Sequence, residues 1–289
     1  MKAKLNIKSM VILGLLMAIV LLFCMTPIGS IPIGPLVITL NVIPVAIAGV
    51  AVGPVGGLVV GTFFGLFSFL QCLEIGVPSG MGMALFQISP VLTFIQRVVP
   101  RALDGLLVGL IYRGVTKVKN KKAYYVIAAA ISALFGAALF LSVMQLIGYD
   151  KNAANKMTPA LNNFMTSKSL LAYVLIVVAI LCFAVGYMLV SGKKLKKMNV
   201  ACMITGFSAA ILNTLFFMSA LILLFGNTEY VKNLMNSTVG SENAVLFIIV
   251  FVGVNALVEM VLATIVTGAV GAALHKAKLV KGPEEDNAK

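Results

Sequence analysis

The chain has 289 residues, of which 61% are hydrophobic and 11% are charged, and its mean hydropathy is +1.07. A water-soluble domain of this length needs far more charge to cover its surface, so the composition excludes a soluble globular protein. The formal net charge is +13, but the basic residues lie in short clusters between apolar segments, as in the cytoplasmic loops of membrane proteins. This placement argues against a nucleic-acid partner.

Eight apolar segments follow one another along the chain, most of them close to or above the ~18–20 residues that span a bilayer. They cover residues 9–25, 36–53, 56–75, 92–113, 123–148, 169–191, 199–226 and 244–274. If the N-terminus lies inside, the spans alternate so that every basic cluster also lies inside. The sequence therefore predicts an all-α polytopic membrane protein with about eight spans and both termini cytoplasmic.

These spans predict a single transmembrane domain over residues 1–275, in the lipid bilayer of a bacterial-type plasma membrane. The charged segment 276–289 is predicted to be a cytoplasmic tail. Between the third and fourth spans, the weakly polar segment 76–90 is predicted to be a flexible external loop.

The segment 31–54 is apolar enough for a bilayer but contains four prolines and three glycines. The prolines predict an ordered external loop over Ile31–Pro35, followed by a helix that begins near Leu36. Pro44 then lies inside that helix, where it provides no N–H and leaves the carbonyl of Leu40 without its helical hydrogen bond. A local kink is expected there.

Small residues recur four apart on three of the predicted helices, a spacing that lets helix backbones approach closely in a bilayer. They are Gly14 and Ala18 on the first helix, Gly57, Gly61 and Gly65 on the third, and Gly268 and Ala272 on the last. Each stripe has two interpretations. It packs within the bundle, or it forms a docking face for another membrane protein.

Charged groups inside a span are informative because each costs about 2.5–3.5 kcal/mol on insertion scales. Arg97 and Arg101 are four residues apart and share a helix face, and Asp104 follows three residues later. A local arginine–aspartate pair accounts for one of the two positive charges. The second is balanced either by Glu74 or Glu259, or by an anionic ligand, and the sequence leaves both possibilities open.

Further polar groups lie in other spans. Asn255 and Glu259 share one face of the last span, where a hydrogen bond to Asn213 or Asn41 is the structural alternative to a ligand cavity. The candidate substrate-binding residues are Asn41, Gln71, Arg97, Arg101, Asn213, Asn255 and Glu259.

Groups suited to catalysis are scarce in this sequence. The only histidine, His275, lies among lysines at the end of the last span, and the four cysteines show no CxxC pairing. No string has the spacing of an ATP-binding loop. The sequence therefore predicts no catalytic residue, no metal site and no cofactor, and the protein is not expected to be an enzyme.

The segment 26–70 resembles the second and third helices of the substrate-binding S components of energy-coupling factor (ECF) vitamin transporters. It contains an IPIGP loop, an IPV segment, a GP turn and a glycine-rich helix with FGL near its end. Residues 98–113 resemble the fourth helix of that family, and residues 211–226 and 255–270 resemble its last two. The segments occur in the family's order.

The resemblance implies a six-helix bundle that captures a vitamin outside and delivers it inward when docked on a transmembrane coupling (T) component and two ATPases. Such a subunit has no ATPase activity of its own. The small-residue stripe of Gly14 and Ala18 resembles the one with which family members dock on the T component. The loop and the N-x-x-x-E spacing of Asn255–Glu259 are most similar to pantothenate-type members, and Arg97 or Arg101 suits a pantothenate carboxylate.

Two features depart from the family pattern. The apolar hairpin 123–192 is additional, and Asn41 stands where a histidine is expected in pantothenate-type members. Two other functions therefore remain as alternatives. One is a stand-alone secondary transporter, driven by a proton or ion gradient, in which Glu259 carries protons. The other is a non-catalytic membrane assembly protein.

Overall fold

The computed structural model describes residues 7–27, 29–33, 36–117, 197–239 and 244–279, and these ranges contain eight α-helices and one small sheet. The helices are α1 (Ile7–Met25), α2 (Val42–Ala51), α3 (Pro54–Leu70), α4 (Gly80–Ile88), α5 (Pro90–Lys117), α6 (Lys197–Phe225), α7 (Glu229–Val239) and α8 (Ala244–Lys276). The strands are β1 (Ser30–Ile33) and β2 (Leu36–Thr39), and a short 3-10 helix, Gln71–Leu73, follows α3.

An antiparallel hairpin occupies the segment that was predicted to be a loop followed by a helix. Its register runs from Ser30 opposite Thr39 to Ile33 opposite Leu36. The helix begins at Val42 and not near Leu36, so the all-α prediction is wrong here. Isoleucine, valine and threonine supply most of the hairpin, and β-branched residues favour strands. Apolarity alone does not distinguish a short buried strand from a helix.

The proline of α2 lies in its first turn. The first N–H groups of a helix have no intrahelical acceptor, so Pro44 removes no hydrogen bond there. The carbonyl oxygen of Leu40 accepts a hydrogen bond from the Ile43 N–H at 3.0 Å. The predicted kink and unsatisfied carbonyl are therefore wrong. Every residue from Val42 to Val50 is buried, and α2 is the central helix, packed by α1, α3, α5, α6 and α8.

The glycine stripe on α3 packs against α5. A Cβ atom on Gly57 would collide with the backbone of Gly105, and one on Gly61 would collide with the backbone of Arg101. Gly65 is equally close to the backbone of Val98. The two helices approach within reach of direct backbone contact, which only glycine permits. For this stripe, the interpretation as packing within the bundle is confirmed.

Gly57→Ala is expected to destabilise the fold by about 1–3 kcal/mol, because the added methyl group meets backbone that cannot move aside without separating α3 from α5. Gly114→Ala is the matched control, since none of the described residues lies within 4 Å of a Cβ atom there. Thermal unfolding of the two purified variants measures the difference. Equal melting temperatures would contradict the close α3–α5 contact.

Helices α6 and α8 form the second close pair. A Cβ atom on Gly206 would collide with the backbone of Ala263, and one on Gly268 would lie 2.5 Å from Met203 Cγ. The stripe of Gly268 and Ala272 thus also lies next to a neighbouring helix of the same chain. Helix α6 packs in addition against α5 and α2, and α8 also packs against α2.

Within the described ranges, three helices are long and apolar enough to cross a membrane: Ile7–Met25, Pro54–Leu73 and Val200–Phe225. These helices fit the prediction of a membrane protein. The count of eight spans, the cytoplasmic termini and the division into domain and tail stay predictions. The additional hairpin predicted over 123–192 lies outside the described residues, as does the tail beyond residue 279.

Candidate functional site

Six of the seven predicted substrate-binding side chains are buried. They are Asn41, Gln71, Arg97, Arg101, Asn213 and Glu259. The side chain of Asn255 lies outside the described part of the chain. Most of these six side chains contact elements that lie near the β1–β2 hairpin, residues 30–39. We call this end of the bundle the hairpin end. A buried polar group is costly unless it is hydrogen-bonded, and the partners of these groups therefore indicate what the site can hold.

Arg97 lies between α3, α4 and α6 with its guanidinium held by neutral groups. Its Nη1 donates to Ser68 Oγ at 3.4 Å, and its Nη2 donates to Ser79 Oγ at 3.2 Å. The guanidinium carbon lies 5.1 Å from the centroid of the Phe217 ring. The side chain is only 5% exposed, so it is a desolvated cation with no contacting carboxylate among its hydrogen-bond partners.

Arg101 lies one turn further along α5 and stacks between two aromatic rings. Its guanidinium carbon is 4.6 Å from the centroid of Phe64 and 4.8 Å from that of Phe217. Its Nη1 donates to the carbonyl oxygen of Arg97 at 2.9 Å. Cation–π contacts of this kind stabilise a desolvated guanidinium by up to about 2 kcal/mol, which supports the positive charge without neutralising it.

The predicted local pair of Arg101 with Asp104 is not formed by hydrogen bonds in the described structure. The Oδ1 atom of Asp104 is buried without a hydrogen-bond partner, and the Nε atoms of Arg97 and Arg101 also lack one. Among the described residues, the hydrogen-bond partners of both guanidinium groups are hydroxyl and carbonyl oxygens. The two positive charges are therefore close together and are not matched by a contacting carboxylate among the described residues.

The two glutamates that were candidates to balance the positive charge of the arginines have other positions and contacts. Glu74 is exposed and follows the 3-10 helix with a positive φ of 64°. Glu259 is buried in α8, and its Oε1 accepts the backbone N–H of Thr39 at 2.7 Å. Among the described residues, no hydrogen bond joins Glu259 to Arg101. Its direct role in the structure is to tie the end of β2 to α8.

Asn41 and Gln71 connect the hairpin end to the end of α1. The Nδ2 of Asn41 donates to Cys24 Sγ at 3.4 Å, and the Nε2 of Gln71 donates to the carbonyl oxygen of Cys24 at 3.1 Å. The Oδ1 of Asn41 remains without a hydrogen-bond partner although the residue is 1% exposed. It is a buried acceptor that a hydroxyl or amide group of a ligand can use.

Two further amides have unpartnered buried atoms in the described structure. Gln96, next to Arg97 on α5, is fully buried, and neither its Oε1 nor its Nε2 has a hydrogen-bond partner. The Oδ1 of Asn213, one turn before Phe217 on α6, also lacks one. Each such group costs about 1–3 kcal/mol when left unsatisfied. These atoms are further candidates for contact with a polar ligand.

The segment 76–90, predicted to be a flexible loop, contains the helix α4. Ser79 caps this helix, and its Oγ accepts the N–H of Gly82 at 3.2 Å. The signal was present in the sequence, because serine is favoured at the residue before a helix. Ser68, Ser79, Phe64 and Phe217 all contact the arginines and were missed, since hydroxyl and aromatic residues are ordinary constituents of a membrane helix.

The small-residue stripe of α1 faces outward. Gly14 and Ala18 are exposed, and a Cβ atom on Gly14 has nothing within 4 Å. This distinguishes it from the stripe of α3, which is covered by α5. Gly14 and Ala18 are therefore free to contact a surface outside the described part of the chain.

Arg97 and Arg101 are buried cations, each with an Nε donor that lacks a hydrogen-bond partner, so the pair is suited to binding an anion. Guanidinium groups bind carboxylates with two parallel hydrogen bonds, and the low dielectric of a buried site strengthens them. Within the described ranges, no group of three or more histidine, cysteine, aspartate or glutamate side chains can hold a metal ion.

A family model described as "ECF transporter, substrate-specific component" matches residues 8–188, which is more than half of the chain. The chain is also 34% identical over 118 residues to a protein of Leuconostoc mesenteroides subsp. mesenteroides that is named pantothenate transporter PanT. This match covers 39% of the chain and 54% of the relative, so the chain spans about half the length of the curated relative it matches.

Proposed function

The chain belongs to the family of substrate-specific components of ECF transporters, and on this premise we propose that it captures an anionic vitamin at Arg97 and Arg101. One observation carries the proposal. Both guanidinium groups are buried at the hairpin end, and neither contacts a carboxylate of the described residues. Desolvating an isolated cation is costly, and an anionic ligand that binds both arginines would offset that cost.

Pantothenate is the substrate that we propose first. The relative from Leuconostoc is named a pantothenate transporter, and pantothenate carries one carboxylate together with hydroxyl and amide groups. The carboxylate suits the arginines. The hydroxyl and amide groups suit the unpartnered oxygen of Asn41 and the unpartnered amide of Gln96. Glu259 would act in this site through its bond to Thr39, which holds the hairpin in place.

The partners we propose are a T component and two ATPases in the plasma membrane, with the hairpin end outside. Gly14 and Ala18 would form the docking face on the T component, because this stripe is exposed and leaves room for a helix to approach closely. The vitamin would then enter from outside and leave inward when the docked complex hydrolyses ATP.

A thermal-shift screen of the purified full-length protein against vitamins tests the substrate. A ligand present at 100 times its Kd stabilises the folded state by about 2.7 kcal/mol, so the correct vitamin raises the melting temperature. We expect pantothenate to do so and uncharged vitamins not to. A shift with uncharged vitamins alone would refute the proposal of an anionic substrate.

Co-purification with a T component and two ATPases, together with uptake assays, tests the mode of transport. We expect the complex to be recovered and uptake to stop in cells that lack those ATPases. Persistent uptake in such cells, dependent on the proton gradient, would refute the proposal and favour the stand-alone secondary transporter.

A further inference from the structure

The first turn of α4 lies directly against the buried side chain of Arg97. A methyl group on Gly82 would lie 2.6 Å from Arg97 Nη2 and 2.6 Å from Cys72 Sγ, with Ser79 Oγ at 3.0 Å. The absence of a side chain at Gly82 therefore lets the tip of the guanidinium lie next to the helix. Gly82 itself is buried, whereas Gly80, at the start of the same turn, is exposed.

This contact places two sources of positive potential together. The backbone N–H groups at the start of a helix have no intrahelical acceptor and carry a partial positive charge. The N–H groups of Gly80 and Met81 have no hydrogen-bond partner among the described residues. Arg97, independently, is 5% exposed and has an unpartnered Nε. A cation next to a helix N-terminus is repelled by it, and an anion between them is attracted by both.

Ser79 adds a further donor at the same place. Its Oγ accepts from Gly82 N and from Arg97 Nη2, each at 3.2 Å. Since a hydroxyl oxygen has two lone pairs, both are used and the O–H hydrogen remains available to donate. The N–H groups, the hydroxyl and the guanidinium are then all donors, which matches a group that only accepts hydrogen bonds.

We propose that the first turn of α4, together with Arg97, is the subsite for the carboxylate group of the transported vitamin. The inference rests on the proposed function and adds a backbone element to it. It also assigns a role to Gly82, which keeps the guanidinium within reach of the helix N-terminus. A carboxylate bound here accepts hydrogen bonds from backbone and side chain at once, and a neutral group in its place forfeits the charge–charge attraction.

The position of α4 is fixed by packing, as a subsite requires. Leu85 is fully buried in a cluster with side chains of α6 and α7. The ring of Phe86 lies 5.8 Å from that of Phe69, between centroids, and joins α4 to α3. Displacement of the first turn would have to disrupt these contacts.

Gly82→Ala tests the subsite, with Gly114→Ala as its matched control. Both add one methyl group to a helix, and alanine favours a helix over glycine at both positions. At Gly82 the methyl group displaces the ends of the Arg97 and Cys72 side chains, whereas at Gly114, which is exposed on α5 outside the proposed site, none of the described residues lies within 4 Å of it. The probes are pantothenate and pantothenol, its analogue with an alcohol in place of the carboxylate. Isothermal titration of the purified full-length protein measures both affinities.

We expect the wild type and Gly114→Ala to bind pantothenate at least tenfold more tightly than pantothenol. In Gly82→Ala this preference is lost because pantothenate binds at least tenfold more weakly, while pantothenol binds as before. Wild-type affinity for pantothenate in Gly82→Ala would overturn the subsite and leave the proposed function standing. An equal loss for both probes would overturn it as well, since the change would then affect the whole site.

Two further outcomes test the carboxylate subsite independently of which vitamin is the substrate. If the wild type binds neither probe, biotin and nicotinate are each compared with their amides. If one of these vitamins binds more tightly than its amide and Gly82→Ala abolishes that preference, the subsite is supported for a vitamin other than pantothenate. If neither vitamin binds more tightly than its amide, both the subsite and the proposed anionic substrate are overturned. Competition by inorganic phosphate at the same concentration as pantothenate would overturn the assignment to a carboxylate.

Discussion

Replacing Arg97 by alanine is expected to weaken binding of the anionic vitamin at least tenfold, which corresponds to about 1.4 kcal/mol or more. The substitution removes a buried guanidinium whose present partners are two serine hydroxyls. Arg101→Ala is expected to have an effect of the same size. Titration calorimetry with pantothenate measures both variants.

Arg113→Ala is the matched control, because Arg113 is exposed, lies near the opposite end of α5 and packs next to Gly53. It should bind pantothenate as the wild type does. The melting temperature of ligand-free Arg97→Ala is a second readout. Since Arg97 contacts no carboxylate through its hydrogen bonds, its loss leaves no unpaired partner charge behind, and we expect no large drop. Unchanged affinity in both arginine variants would refute the anion-binding site.

Gly14→Leu is expected to abolish assembly with the T component while leaving vitamin binding intact. Among the described residues, nothing lies within 4 Å of a Cβ atom on Gly14. A leucine side chain is therefore expected to leave the described helices undisturbed and to prevent another helix from approaching the backbone of α1. Ala18→Leu, one turn further along, should act in the same way. Co-purification with the T component and pantothenate titration of the isolated subunit are the two measurements.

The control for this experiment is Gly114→Leu. Gly114 is also exposed with nothing within 4 Å of a Cβ atom, but it lies on α5. It should assemble normally if docking is confined to the α1 stripe. Loss of both assembly and vitamin binding in Gly14→Leu would indicate misfolding, and normal assembly would refute the docking face.

The arginine pair illustrates how far sequence reasoning reaches at a site. Charged residues four apart inside a span predicted a shared helix face, and the structure places Arg97 and Arg101 next to one another. Their partners could not be predicted. The candidate carboxylates were chosen by charge, yet Ser68, Ser79 and two phenylalanine rings contact the arginines. Neutral residues of these types are too common in membrane helices to single out.

The hairpin shows the same limit for local structure. Residues 31–38 are apolar throughout, and an apolar run has the same appearance whether its backbone hydrogen bonds are made within a helix or across two strands. The bond from the Thr39 N–H to Glu259 joins the end of β2 to a residue 220 positions away. No local pattern encodes that distance.

The sequence by itself determined the class of protein, because hydropathy and charge placement follow directly from how side chains partition between water and lipid. It also determined the family and the presence of buried cations. The tertiary structure decided which small-residue stripe is internal and which is exposed within the described part of the chain. A Cβ atom on Gly57 would meet the backbone of Gly105, whereas one on Gly14 would meet none of the described residues. It likewise decided that the first turn of α4 lies next to Arg97. Both results depend on the distance between elements far apart in the chain, and that distance is set by packing.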